Sequence, residues 1–327
     1  MIINTSFEGQ SMEYHCNGVN DDEVLVTFVA NLRKKGYNSF TVEIIGKFVK
    51  KNTTAITINN SGYTQITLDF GKCNQIISKG AFLNVNNVRV INCAVSHGAA
   101  TADNGINTFA AVNSIIENCM ISGTYAGGAC IAFSLSGSRI INCSTNVSNN
   151  NGTLYGIYGD ACTVSCCDIS VKSVTASCYG IEVSAASLVS DSRFKGETSA
   201  TDTTSSGNGG IGGGYYSNCL FVGVGALKGQ GFYIRGGTWL TVQNCIYRGY
   251  TKNTTNGWGA GLLAQANEGN TLILLGINCN QETLTGYSQT KSMEVLSGYG
   301  IYAGTFYTAP VVNENLTSIA RYNRNRS

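Results

Sequence analysis

Thirteen cysteines, two histidines and nineteen acidic residues are the groups in this 327-residue chain from which chemistry can be built. Seven of the cysteines recur in one setting: Cys93, Cys119, Cys143, Cys167, Cys219, Cys245 and Cys279, in phrases such as NVRVINCAV, SIIENCMI and LTVQNCIY. Thiolates attack, exchange or hold soft metals, and Cys162, Cys166 and Cys167 are close enough in sequence to raise a metal site. Carboxylates gather nearby at Asp160, Asp168, Glu182 and Asp191. Two such groups about 5–9.5 Å apart are what glycoside hydrolysis needs.

What must position these groups follows from the spacing of the repeated cysteines, whose successive gaps are 26, 24, 24, 52, 26 and 34 residues. The double gap holds LVSDSRF, where Ser192 takes the cysteine slot and Asp191 the asparagine slot. A period near 25 residues marks a solenoid. The windows before each Asn alternate apolar and polar with period two and carry Val, Ile, Leu and Tyr, which is strand patterning. Leucine-rich repeats have this length too, but they need several leucines per repeat, and most repeats here have one or none. A second motif lies half a period earlier, in YGIY at Tyr155, YGIEV at Tyr179, QGFYI at Gln230 and AGLLA at Ala260. Two or three short strands per repeat, without helical periodicity, predict an all-β fold: a single-stranded right-handed parallel β-helix with coils of about 25 residues. Stacking coils about 4.8 Å apart turns each repeated position into a vertical ladder. The Asn before each Cys is then a bend residue, since Asn tolerates the left-handed backbone and its amide can bond to the next coil.

In such a ladder the cysteines are buried packing. In-register Cβ atoms about 4.8 Å apart and pointing the same way do not reach the roughly 3.8 Å of a disulfide. The metal reading fails because Cys166 and Cys167 occupy the repeat's own Asn and Cys slots, with no CxxC pair or histidine set beside them. Neither a metal nor a cofactor is expected. Forty glycines, one proline and 12% charged residues suit bends and in-register strands. A net charge of +2, with no basic stripe beyond Arg321, Arg324 and Arg326, argues against nucleic acid. The start lacks a signal peptide and no apolar run reaches membrane-spanning length, so a soluble chain made in a cytoplasm is expected.

The amino-terminal passage HCNGVNDDEVLVTFVANLRKKG reads as one helix over 21–36. Asn20, Asp21 or Asp22 can cap it; Val24, Leu25, Phe28, Val29 and Leu32 form its apolar face; Arg33, Lys34 and Lys35 suit its negative end; Gly36 ends it. Such a helix would cover the open end of the first coil. The expected division is an attachment segment 1–20, the capping helix 21–36, the β-helix 37–304 and a carboxy-terminal segment 305–327. Asp21 and Asp22 are read as capping residues, not as a catalytic pair.

The phrase NGVNDDEVLVTFVANL resembles the GDGxxDDxxAIQxAI opening of pectate-lyase-like β-helices, particularly those of bacteriophage tail spikes and fibre-associated proteins. The likeness covers 16 residues. It implies the fold more than a function, since such proteins cleave, bind or merely decorate. Of the NTD, DD, GHG and RIK motifs of the superfamily's polygalacturonases, only His97 with Gly98 offers a fragment. A lyase would need acidic ladders for calcium and an arginine base, and no outward Asp column accompanies Arg235 or Arg248.

The leading expectation is therefore a non-enzymatic structural component of a bacteriophage virion: a spike, fibre or capsid decoration. It would be assembled in the host cytoplasm as a homotrimer and mounted on another virion protein through residues near 1 to 20. A host-surface glycan is the remaining candidate partner. No catalytic residue is assigned; if the chain is a glycan depolymerase instead, Glu182, Asp160 and Asp191 are the first candidates. A non-catalytic glycan adhesin is the third reading. The aromatics Tyr125, Tyr215, Tyr216, Tyr233, Trp239, Tyr247, Tyr250 and Trp258 are taken as core or inter-subunit packing in preference to sugar platforms. Ser205 to Gly214 (SSGNGGIGGG) is read as a flexible inserted loop.

Overall fold

A computed structural model describes residues 10–78, 80–97, 106–235, 240–253, 255, 257–265, 271–279, 291–297, 299–306, 311–312 and 318–325. These residues form a parallel β-solenoid of about 9 turns, each of about 26 residues, with one short helix near the amino terminus. One coil shows the plan. Cys130–Ser136 lies on a first face, Arg139–Ile141 on a second and Ser144–Asn149 on a third. The chain then returns to the first face at Leu154–Asp160, stacked in parallel register on the strand before it. First-face strands make an 11-stranded sheet, and the other two faces join in a 20-stranded one.

The corners explain the repeat. At the bend between second and third faces Asn92, Asn118, Asn142, Cys166, Asp191, Asn218 and Asn244 all have φ between 51° and 59°. That is the left-handed region, which Asn and Asp enter more readily than other side chains. The residue after each points inward. Cys143 Sγ accepts the Cys119 N–H at 3.3 Å and donates to the Ile141 carbonyl at 3.3 Å. Ser192 Oγ makes the same pair of bonds, accepting the Cys167 N–H at 3.0 Å and donating to the Ser190 carbonyl at 2.6 Å. Serine is thus a working substitute in the cysteine slot. The other bend has its own column, in which Ser114, Ser138 and Ser187 accept backbone N–H groups of Val88, Ser114 and Cys162.

Inside, apolar columns run along the shaft. Phe82 meets Phe109 edge-on at 5.6 Å and Phe109 stacks on Phe133 at 5.4 Å, while Phe194, Phe221 and Tyr247 form a stacked series at 5.4 and 5.4 Å. Burial in the sequence-selected aromatics follows: Tyr125, Tyr216, Tyr247 and Tyr250 are buried, Tyr233 and Trp258 half-buried and Tyr215 exposed. Trp239, Gly98, Arg326 and residues 1–9 lie outside the described residues.

The glycine-rich stretch is not a loop. Gly207–Gly212 is a first-face strand and Gly214–Ser217 a second-face strand, both in parallel register with their neighbours. The reason is a narrowing of the interior. Along the third face, Val147 and Val171 give way in register to Gly196, Gly223 and Gly249. A Cβ on Gly196 would sit 2.0 Å from the Asn208 carbonyl oxygen, and one on Gly223 1.8 Å from that of Gln230. First and third faces here touch backbone to backbone, a contact only glycine permits.

The helix spans Asp21–Lys34. Leu25, Val29 and Leu32 are buried against the first coil, whereas Val24, expected on the same face, is 38% exposed at the edge of the stripe. Neither aspartate caps by bonding its own first turn. Both are buried instead and reach outward from the helix. Asp21 accepts N–H groups of Asn17 (2.7 Å), Gly18 (3.1 Å) and Val49 (2.8 Å), and the Tyr14 hydroxyl at 3.0 Å. Asp22 takes the Asn52 N–H at 3.0 Å and its side-chain amide at 2.9 Å. At the other end Arg33 lies over the rings of Phe40 and Tyr63, at 5.0 and 4.7 Å, and donates to the Tyr37 and Thr64 carbonyls. Within the span expected to serve attachment, Gln10–His15 already pairs with Phe40–Ile45 as part of the stack. Likewise Ser318–Asn325 pairs with the strand Tyr299–Phe306.

Candidate functional site

Side chains at the second bend make two amide ladders running along the outside of the shaft. In the first, Asn92 Nδ2 donates to Asp69 Oδ1 at 2.9 Å, Asn118 to Asn92 at 3.3 Å and Asn142 to Asn118 at 2.7 Å. Cys166 interrupts the series with an exposed thiol, and a second ladder starts where Asn218 Nδ2 donates to Asp191 Oδ1 at 3.0 Å. Each ladder starts on an aspartate, which offers acceptors only.

A groove of about 620 Å³ opens at this interruption, lined among others by Cys166, Asp168, Asp191, Arg193 and Asn218. It continues onto the third face as a second groove of about 410 Å³, which shares Asp168 and Arg193 and adds Ser144, Asn146, Ser170 and Lys195. The pleat produces this lining. Asp168 and Arg193 are in-register partners at the start of adjacent third-face strands, Ser144 one coil before them and Leu220 one coil after. Beside them Lys172 and Lys195 converge on Glu197 at 3.1 and 2.9 Å. Burial works to raise the Glu197 carboxyl, but Lys195 and then Lys172 outweigh it and hold it below the ordinary carboxylate range. The combination offers the Asp168 and Asp191 carboxylates, the Arg193 guanidinium, the Lys195 ammonium, the Asn146 and Asn218 amides and several hydroxyls. Such a surface can exchange hydrogen bonds with a hydroxyl-rich, extended ligand.

The remaining candidate acids lie elsewhere. Glu182 is on the first face in register with Tyr158, and Asp160 ends the strand before it, two residues beyond Tyr158. One coil and two residues apart, they are separated by a diagonal of ~8 Å at Cα. Around Glu182 lies a tyrosine platform that sequence reasoning did not assemble. Tyr155 and Tyr179 stack at 4.9 Å and 16°, and Tyr158 meets Tyr155 edge-on at 5.5 Å. The signal was present in the repeated YGI phrase. Asp191 belongs to the groove, at the second bend.

His97 points inward and is buried, so it is no surface base. Cys162, Cys166 and Cys167 diverge: Cys162 is buried at the first bend beside Ser187, Cys166 faces out, and Cys167 faces in at the second bend. Burial pushes the Cys167 and Cys178 thiols up to about 12, so they stay protonated and unreactive. Among the described residues no helix is long and apolar enough to cross a membrane.

Replacing Cys166 by Asn together with Asp191 by Asn joins the two ladders. Asn relieves the left-handed bend at 166, and its amide can reach Asn142 while accepting from position 191. The expected gain is about 1–2 kcal/mol for the pair, with the unfolding temperature rising by a few degrees. Cys166→Asn alone should gain less, because its carbonyl faces the Asp191 carboxylate. Thermal unfolding of both single variants and the double variant measures the coupling.

No protein-family model matches the chain, and neither a curated protein nor a solved structure matches it.

Proposed function

We propose that this chain is a non-enzymatic structural component of a bacteriophage virion, mounted by its amino-terminal end and related to the pectate-lyase-like β-helices. The observation that carries the reading is the character of that end. The opening of the phrase behind the resemblance, Asn17 to Asp22, forms a hydrogen-bonded latch closing the shaft. Around it Val19, Val24 and Val26 are 65%, 38% and 37% exposed, the last two on opposite flanks of the helix's buried stripe. Apolar side chains on an otherwise closed end suit docking to another virion protein. Homotrimeric assembly belongs to the same proposal, and the groove at Asp168 and Arg193 is its contact with a host-surface glycan.

Val19→Asp with Val24→Asp tests the mounting. Incorporation into particles should fall at least tenfold while the circular dichroism and unfolding temperature of the purified chain stay those of the wild type. Unchanged incorporation would sink the docking assignment, and a strictly monomeric mass at micromolar concentration would remove the trimer.

A depolymerase is the second reading, favoured by the Tyr155, Tyr158 and Tyr179 platform around Glu182. Sugars stack on such faces. Incubation with capsule or wall polysaccharide separates the readings. New reducing ends or unsaturated uronates that vanish in Glu182→Gln would replace the structural proposal by this one.

A further inference from the structure

The interior of the amino-terminal coils holds a polar cluster that neither docking nor glycan contact uses. His97 Nε2 is 2.9 Å from Thr108 Oγ1, which is 2.6 Å from the Tyr125 hydroxyl, and the His97 and Tyr125 rings lie 5.0 Å apart. All three residues are buried. The cluster spans elements that stack: Ser78, ending Ile66–Ser78, is in register with His97, and Gly123, two residues before Tyr125, is its partner on the other side. Gly123 is required there, since a Cβ would meet the His97 carbonyl oxygen at 2.0 Å. Lys50, directly after Phe40–Val49, is buried as well, donates to the Asn52 carbonyl and acts on His97 through space. The Ser78 hydroxyl is buried without a hydrogen-bond partner among the described residues.

At this corner later coils carry neutral groups. The column through Tyr125 continues as Asn149, Ser173 and Thr198. Asn149, Ser173 and Thr198 bond to the carbonyls of Gly128, Gly152 and Ala176 at 2.8, 2.8 and 2.6 Å. Among the described residues this column holds no ionisable side chain in the later coils, running on through Gly225 and Thr251.

We infer that the His97 cluster is an acid-sensitive lock on the amino-terminal coils: protonating His97 adds a second buried cation within the field of Lys50 and loosens the strands that meet there. Among the described residues the groups around His97 are Ser78, Thr108 and Tyr125, and Lys50 is the charge that acts on it. Thr108 can accept from the imidazolium, but a hydroxyl does not neutralise it. Burial first, and Lys50 second, lower the His97 pKa from 6.5 to about 4. The sign follows. The opened form binds a proton below about 6.5 and the closed form only near 4, so closure weakens as pH falls through that window and levels off below it. Above the window the cluster is neutral and the lock is closed. Across it the local opening constant rises by about two orders of magnitude.

The test is amide hydrogen exchange on the full chain between pH 7 and 4, corrected for intrinsic rates, together with proton NMR of its two histidines. Peptides covering Ala94–His97 and Met120–Tyr125 should lose protection roughly a hundredfold, while Arg193–Thr198 holds. One imidazole should titrate near pH 4 and disappear in His97→Gln, whose glutamine keeps a partner for Thr108 and whose exchange should be flat with pH. Should His97→Gln fail to fold, Lys50→Met serves instead: it should move the imidazole midpoint upward and shrink the loss of protection. An imidazole at 97 titrating near 6.5, or equal acid sensitivity in wild type and His97→Gln, overturns the lock.

Discussion

Asp21→Ala should destabilise the chain by about 4 kcal/mol, more than any exposed substitution. The carboxylate is the shared acceptor of three backbone N–H groups and the Tyr14 hydroxyl. Removing it leaves buried donors with no partner, each worth about 1–3 kcal/mol. The loss also spreads, because in a stacked fold each coil is held only by its neighbours. Without the latch the loop at Asn17, the helix and the coil at Val49 lose their common tie, and the first apolar layer opens to water. Asp21→Asn keeps the shape but turns an amide toward donors, so about 2–3 kcal/mol is expected. Urea unfolding measures both, and limited proteolysis locates the damage at the amino-terminal end. A loss below about 1 kcal/mol for Asp21→Ala would mean that water replaces the carboxylate and that the latch is not what holds the end.

Gly223→Ala is the second large effect, expected at about 3 kcal/mol or more although it adds a single methyl. The new carbon would stand 1.8 Å from the Gln230 oxygen and 2.3 Å from its carbonyl carbon. Both atoms are backbone, so two sheets must part. Parting them disturbs the registers Gly196–Gly223–Gly249 and Gly207–Gly229 at once. Gly249→Ala should behave alike, and the double variant should cost less than the sum, since one displacement serves both. Soluble yield and thermal unfolding report the effect. An unfolding temperature within two degrees of wild type, or about 1 kcal/mol, would show that the faces are not in contact.

These two sites also mark where sequence stopped being informative. The coil period, the bend at Asn92 or Asn142 and the substitution of Ser192 for cysteine were legible because each depends on one chain position and its period. The short helix was legible from Leu25, Val29 and Leu32. Asp21 and Asp22 read as caps from the sequence because the partners that tie them to the coil, Val49 and Asn52, lie about 30 residues on, where local patterning carries no information. Ser205 to Gly214 reads as a flexible inserted loop for the same reason. A glycine needed by a facing strand has the composition of a glycine needed by nothing. For the acids, the period located Glu182, Asp160 and Asp191 in neighbouring coils but said little of which side each occupies. Phase within the coil decides that, and it separates Asp191 from the other two.

The amide ladders have a direction. Every Nδ2 donates toward the amino-terminal neighbour, so a coil bearing Asn at the bend accepts from the next coil and donates to the one before. Such a unit can be copied. Duplicating the coil around Asn118 inserts one more matched donor and acceptor and leaves Asp69 as the terminus, whereas duplicating the coil of Asp191 would insert a second terminus. The shaft between Asn92 and Asn142 is therefore the region where length can grow by whole coils during evolution or by design, changing the reach of the molecule while its closed end and its groove stay as they are.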